Sequence, residues 1–67
     1  MTPTAAQRRV LEEIARRGPL QRWRLYMLHH RYDVVERCVA CGWLHQVYVG
    51  PEVALDLTDE RREVLER

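Results

Sequence analysis

The stretch CVACGWLHQVYVGPEVALDL, residues 38–57, decides the fold, because the spacing of its apolar residues changes at Gly42. Up to Gly42 the apolar residues recur at helical spacing, and a glycine is typical just after the last turn of a helix. After it, apolar and polar residues alternate in two runs, WLHQVYV and VALDL, which flank the turn-forming residues 50–52. The stretch therefore predicts a helix that ends at Gly42 and leads directly into a β-hairpin.

The length of the hairpin loop determines which face of the hairpin is buried. A three-residue loop at 50–52 predicts three cross-strand pairs: Val49 with Val53, Val47 with Leu55, and His45 with Leu57. We therefore expect one apolar face to pack on the helices, made of Val47, Val49, Val53, Leu55 and Leu57. The opposite face would carry Gln46, Tyr48, Ala54 and Asp56.

Two helices are predicted upstream of this stretch. Thr4 and Gln7 have the spacing of a capping box, and Gly18-Pro19 ends the first helix. Between them the residues of one helical face are apolar: Ala6, Val10, Leu11 and Ile14. A second helix over residues 20–30 is apolar around most of its circumference.

A third and a last helix complete the predicted order. Asp33 with Glu36 repeats the capping-box pattern and opens the helix before Gly42, whose inward stripe is Val35, Cys38 and Val39. Thr58 is placed to cap a final helix that turns Val64 and Leu65 inward. The predicted order is α-α-α-β-β-α, in a single α+β domain of residues 1–67.

The composition is typical of a globular domain and argues against several functions. The chain has 67 residues, 46% of them apolar and 31% charged. No apolar run approaches the roughly 18–20 residues that span a bilayer, and the N-terminus lacks the apolar segment of a secretory signal. We therefore expect a cytoplasmic protein without a membrane partner. Serine is absent and no nucleophile–base set is present, so we expect neither an enzyme nor a cofactor.

Charge is divided unevenly between the two halves of the chain. All eleven basic residues are arginine. Residues 1–31 carry seven arginines and two glutamates, a balance of +5, whereas residues 32–67 carry four arginines and eight acids, a balance of −4. This asymmetry favours a charged partner for the first half, although part of it is ordinary helix surface.

Cys38 and Cys41 have the CxxC spacing of metal and redox sites. A structural zinc commonly uses two such pairs, and the other possible ligands are His29, His30 and His45. A redox pair gains from a helix N-terminus, whereas this pair lies at a C-terminal end, where the dipole disfavours thiolate. We interpret the cysteines as packing residues and expect no metal, with zinc and redox chemistry as alternatives. His29 and His30 are interpreted as helix-end residues, with phosphate contact as the alternative.

Three segments carry a family pattern. They are RRVLEEIARRGPL in the first helix, VERCVACGWL in the third helix and its exit into the hairpin, and LDLTDERREVLER after it. With their G-W-L and L-T-x-x-x-R-E-x-L steps, these segments resemble winged helix-turn-helix domains of the MarR-type transcription regulators. The resemblance implies a DNA-binding protein whose third helix enters the major groove while the hairpin, or wing, touches the backbone or minor groove.

Six arginines are the expected DNA contacts, and all of them except Arg37 lie in the first half of the chain. Arg31 and Arg37 would approach the groove, and four further arginines would contact phosphates: Arg8, Arg9, Arg22 and Arg24. The wing is expected to add little, because residues 43–57 contain no arginine or lysine and its tip carries Glu52. Asp33 and Glu36 would face phosphates unfavourably.

The second predicted helix favours a protein partner as well. It is apolar on more sides than a small monomer can bury, so we expect Trp23, Tyr26 and Met27 to form an interface, most simply in a homodimer. The rival hypothesis is a winged-helix module that binds another protein through this helix and the acidic wing, without binding DNA. The sequence leaves both hypotheses open.

Overall fold

A computed structural model of the chain describes residues 2–59 as three helices followed by a two-stranded antiparallel sheet. The elements in chain order are α1 (Ala5–Arg17), α2 (Arg22–Met27), α3 (Tyr32–Ala40), β1 (Leu44–Val49) and β2 (Glu52–Leu57). The fold is α+β, and its order agrees with the prediction as far as β2. The predicted final helix after Thr58 lies outside the described residues. Within residues 2–59, no helix is long and apolar enough to cross a membrane.

The first helix begins and ends where the sequence predicts. Thr4 and Gln7 form both halves of the capping box: the Gln7 amide donates to Thr4 Oγ1 at 3.2 Å, and the Thr4 amide donates to Gln7 Oε1 at 2.8 Å. Gly18 follows the last turn with a φ of 88°, and its amide donates to the Ile14 carbonyl. The helix start and stop signals are confirmed.

The second helix is shorter than the predicted span of residues 20–30, because a left-handed residue closes its C-terminal end. His29 has a φ of 70°. Its amide donates to the Tyr26 carbonyl, and the His30 amide donates to the Leu25 carbonyl, which are the paired hydrogen bonds of a Schellman motif. Glycine usually occupies this left-handed position, so no sequence signal marked the end of the helix.

The left-handed conformation of His29 should cost stability that glycine would recover. The left-handed conformation raises the free energy of a residue that has a Cβ atom by about 1–2 kcal/mol. We expect His29→Gly to be more stable than His29→Ala by about 1 kcal/mol. Both variants remove the imidazole, but only glycine adopts the left-handed conformation without a steric cost. Urea denaturation of the two variants measures the difference.

A matched control is available at Gly42, which has a φ of 78° and has open space where a Cβ would be added. Gly42→Ala should therefore lose a similar amount of stability through the backbone alone. Equal unfolding midpoints for His29→Gly and His29→Ala would show that the α2–α3 turn does not hold His29 in the left-handed region.

The third helix begins without the predicted capping box. Arg31 occupies the N-cap position and makes no side-chain capping hydrogen bond, while Asp33 lies within the first turn. The predicted box between Asp33 and Glu36 is wrong, because Glu36 accepts hydrogen bonds from Arg22 of α2 instead. Glu36 therefore joins α3 to α2 through an ion pair and does not cap its own helix.

The end of α3 at Gly42 is confirmed. The Trp43 amide donates to the Cys38 carbonyl at 3.1 Å, and the Gly42 amide donates to the Val39 carbonyl at 3.0 Å. These bonds form a second Schellman motif, with glycine at its left-handed position. Since the motif reverses the chain within two residues, β1 starts at Leu44, directly beside the end of α3.

The hairpin is confirmed, but its register differs from the prediction by one residue. The loop has two residues, Gly50 and Pro51, so Val49 pairs with Glu52 and not with Val53. Gly50 has a φ of 62°, and a glycine with positive φ followed by a second central residue suits a tight type II′ hairpin turn. The prediction erred by counting Glu52 in the loop.

The corrected register changes which hairpin residues are buried. Leu55 and Leu57 are in the core as predicted, and Leu44, the partner of Leu57, joins them. Val49 and Val53 are exposed and Val47 is only half-buried, so their prediction as core residues is wrong. Ala54, predicted to face outward, is buried.

The core joins the helices to the sheet. Its buried members are Val10, Leu11, Ile14, Leu20, Leu25, Val35, Cys38, Leu44, Leu55 and Leu57. Leu20 also forms an antiparallel bridge with Leu55, in which each amide donates to the other residue's carbonyl at 3.0 and 2.8 Å. The segment between α1 and α2 therefore adds one rung to the outer edge of β2.

Candidate functional site

Two of the predicted DNA-contacting arginines form ion pairs with acids of α3. Arg22 donates from Nε to Glu36 Oε2 at 2.8 Å and from a terminal nitrogen to Oε1 at 3.4 Å. The bonded carboxylate raises the pKa of Arg22. Arg31 Nε lies 3.3 Å from Asp33 Oδ1 in a pair that is largely exposed. Arg22 is thus the less available of the two for a phosphate, because its pair is bidentate and partly buried.

The other four predicted DNA-contacting arginines are more accessible. Arg24 lies over the ring of Trp23, with its guanidinium carbon 5.3 Å from the ring centroid. Arg8, Arg9 and Arg37 are exposed and make no ion pair with another described residue. Their charge is available to a partner.

Two clefts that share Val34 bring several of these basic groups together between α1 and α3. We call the first the histidine cleft; it has a volume of 310 Å³ and is lined by Ala6, Arg9, Leu28, His29, His30, Arg31 and Val34. The second is lined by Thr4, Gln7, Asp33, Val34 and Arg37. We call the basic residues of both clefts the α1–α3 basic surface: Arg9, His29, His30, Arg31 and Arg37. The sequence predicted each of its arginines as a separate DNA contact, and the fold places them around two neighbouring clefts.

Glu13 connects α1 to the turn between α2 and α3. Its Oε2 atom accepts hydrogen bonds from Arg16 and Arg17, and its Oε1 atom lies 3.6 Å from His30 Nε2. That nitrogen is buried and has no hydrogen-bond partner among the described residues. The two arginine hydrogen bonds lower the pKa of Glu13 from 4.5 to about 2. Sequence reasoning missed the contact with His30, which depends on the packing of the turn against α1.

The lowered pKa of Glu13 predicts an acid-dependent loss of stability. Because the folded-state pKa lies below the ordinary value, ionised Glu13 stabilises the folded chain above about pH 4.5, and this contribution is lost as the pH falls toward 2. Between about pH 5 and about pH 2.5, the free energy of unfolding measured by urea denaturation should fall more for the natural chain than for Glu13→Gln. Parallel pH profiles for the two proteins would contradict the assignment.

The two cysteines lie in different surroundings. Cys38 is buried in the core, and its Sγ donates to the Gln7 carbonyl of α1 at 3.9 Å. Cys41 is half-buried at the C-cap of α3, and the two cysteines form no disulfide with each other. Among residues 2–59, no three His, Cys, Asp or Glu side chains are grouped to hold a metal. The packing role of Cys38 follows from its burial.

The predicted interface residues of α2 differ in exposure. Trp23 and Met27 are 51% and 70% exposed. Tyr26 is half-buried and packs beside Tyr32, with ring centroids 5.8 Å apart. Burial raises the pKa of Tyr26, and the nearby Glu36 carboxylate raises it further. Tyr26 therefore belongs partly to the helix packing, and the outward apolar surface is that of Trp23 and Met27.

The hairpin exposes apolar side chains, and its carboxylates are Glu52 at the tip and the half-buried Asp56 of β2. Tyr48 is 81% exposed, and Val53, its cross-strand partner, is also exposed. At the tip, Glu52 Oε2 accepts a hydrogen bond from Gln21 Nε2 at 2.6 Å, which ties the hairpin to the start of α2. The expected lack of arginine and lysine on the hairpin is a property of its sequence.

The chain matches no protein-family model, no curated protein and no solved structure. A function must therefore be argued from the residues and their arrangement.

Proposed function

We propose that the protein is a small winged helix-turn-helix module that binds double-stranded DNA and acts as a transcription regulator. In this proposal α2, the turn at His29 and α3 form the helix-turn-helix, and β1 with β2 forms the wing. Three observations support it: the order of the elements, the hairpin that follows α3 directly, and the rung that Leu20 adds to β2. These are features of architecture, so the DNA-binding part of the proposal depends on the surface.

The α1–α3 basic surface is the observation that carries DNA binding. Arg9, Arg31 and Arg37 come from two helices and lie around clefts that meet at Val34. Arginines clustered on one face of a small domain are what a phosphate backbone requires. Arg37 and Arg31 belong to α3 and its N-cap, so cations would flank the helix that enters the groove.

The proposed mode of binding assigns the wing a minor part. Residues 43–57 contain no arginine or lysine, and Glu52 is exposed at the tip. Without cations the wing releases no counterions from DNA, so it gains no affinity from phosphate neutralisation. Phosphate contacts would come from the helices.

The binding of the intact protein to duplex DNA across salt concentrations tests the proposal. We expect binding at low salt that weakens as salt rises, with a slope of log K against log salt of about −0.9 for each phosphate neutralised. Fluorescence anisotropy with a labelled duplex of random sequence is sufficient, because the electrostatic part of the affinity does not depend on sequence. Absence of binding at low salt would exclude the DNA-binding proposal.

A second candidate function is protein binding without DNA, and two observations favour it. Asp33 and Glu36 place two carboxylates on α3, the helix proposed to enter the groove, where they pair with Arg31 at its N-cap and with Arg22 of α2. The hairpin exposes Tyr48 and Val53, and aromatic residues are enriched at protein interfaces. If duplex binding fails, substitution of Tyr48 should impair capture of a protein partner while substitution of Arg37 should not.

We also propose that the protein forms a homodimer through the exposed face of α2. Trp23 and Met27 leave apolar surface in water beside Arg24, and a second copy is the simplest partner to cover it. Sedimentation at about tens of micromolar, the range of ordinary weak-dimer affinities, should show a dimer. Trp23→Ala should convert this dimer to monomer. A monomer of the natural chain at that concentration would contradict the proposal.

A further inference from the structure

We infer that the histidine cleft binds a phosphate group. Four basic side chains line the cleft, and they come from three parts of the chain: Arg9 from α1, His29 and His30 from the turn, and Arg31 from the N-cap of α3. The other lining residues are Ala6, Leu28 and Val34, so no described carboxylate lines the cleft. Basic side chains that line one cleft without a carboxylate in its lining fit an anion with several acceptor oxygens.

The acids near the cleft leave its two arginines able to bind an anion. Glu12 and Glu13 line an adjoining cleft that shares Arg9, Leu28 and His30 with this one. Glu13 Oε2 is bonded to Arg16 and Arg17, and its Oε1 faces His30 Nε2. Asp33 pairs with Arg31 at 3.3 Å, in a pair so exposed that it contributes little stability. A phosphate with three acceptor oxygens would compete well with this single carboxylate for the guanidinium.

The donor set favours phosphate over other anions. Two guanidinium groups can each donate two parallel hydrogen bonds to a tetrahedral anion, and the exposed imidazole of His29 can add a single donor. Arg31 is also the N-cap of α3, where no side chain caps the first amides, and a helix N-terminus adds a favourable partial charge. A planar carboxylate would use fewer of these donors than a phosphate.

The phosphate group has two possible sources, a free phosphate or a phosphodiester of duplex DNA. The second source rests on the proposed function, whereas the first does not. Inorganic phosphate is the probe for the chemistry that both share. We would follow amide signals of the whole chain by NMR while phosphate replaces chloride at constant ionic strength.

The natural chain should show saturable shifts at residues 29–31 and at Arg9, with a dissociation constant on the order of millimolar. Arg9→Gln should weaken phosphate binding roughly tenfold, the effect of losing one charge-assisted contact. Arg8→Gln is the matched control, because it removes the same charge from the same helix and Arg8 does not line the cleft. Its phosphate binding should equal that of the natural chain.

The same titration on protein saturated with duplex DNA distinguishes the two sources. If a backbone phosphodiester of the bound duplex fills the cleft, added phosphate no longer shifts the amide signals of residues 29–31. If the cleft takes free phosphate instead, these signals still shift. Phosphate shifts without any duplex binding would support the inference for free phosphate and defeat the proposed function. Absence of saturable shifts at residues 29–31 in the free protein, or equal weakening by Arg8→Gln and Arg9→Gln, would overturn the inference whether or not duplex binds.

Discussion

Replacing Ile14 with alanine should lower the free energy of unfolding by about 2–5 kcal/mol. Ile14 is 1% exposed and belongs to the core cluster that joins α1 to the sheet. The substitution removes buried apolar surface and leaves a cavity that the neighbouring side chains can fill only in part. A chain of this size has a total stability of roughly 3–10 kcal/mol, so the variant should be marginally folded or unfolded. Urea denaturation followed by circular dichroism measures the loss.

Two further variants keep the Ile14 prediction testable if the alanine variant does not fold. Ile14→Val removes one methylene group and should cost about 0.5–1.5 kcal/mol. Val49→Ala shortens an exposed apolar residue of β1 and should cost less than about 1 kcal/mol. An unfolding midpoint of Ile14→Ala close to that of Val49→Ala would show that α1 is not packed through Ile14.

Replacing Arg31 and Arg37 together with glutamine should weaken duplex binding at low salt by roughly a hundredfold, at about tenfold for each lost charge-assisted contact. The slope of log K against log salt should fall in magnitude by about 1.8, from 0.9 for each phosphate contact. Both side chains are exposed on α3 or its N-cap, so the folded structure should tolerate the change. Anisotropy titrations at several salt concentrations give both quantities.

Two controls accompany the Arg31 and Arg37 variant. Replacing Arg16 and Arg17 with glutamine removes the same net charge from the last turn of α1, and should leave most of the affinity and the slope intact. Glu52→Gln at the hairpin tip should leave binding unchanged or slightly tighter. An equal loss from the two double variants would mean that duplex responds only to net charge and that α3 has no special part.

Local signals in the sequence predicted the elements well where glycine or a capping box marked their ends. Thr4, Gly18 and Gly42 define helix ends that depend on residues within one turn. The end of α2 was missed because His29 occupies a position that glycine usually takes. The hairpin register was missed because Glu52 is compatible with a loop or a strand. A loop that is longer by one residue moves every side chain of β1 to the opposite face relative to β2.

The candidate site was less predictable, because its contacts join residues far apart in the chain. Charge and helical position placed Arg22 among the free cations, whereas the packing of α2 against α3 sets it beside Glu36, fourteen residues away. The contact of Glu13 with His30 likewise needs the turn to lie on α1. The histidines could be assigned to a helix end from sequence, but their place in a cleft with Arg9 follows only from the fold.

The central claim is that the α1–α3 basic surface, and not the hairpin or α2, meets duplex DNA. Amide NMR spectra of the intact protein during addition of a duplex test it most directly, because they report every described element at once. We predict perturbations at residues 29–37 and around Arg9, with the hairpin tip at residues 48–53 little changed. Perturbations confined to the hairpin tip or to Trp23 and Met27, or no perturbation at low salt, would contradict the claim.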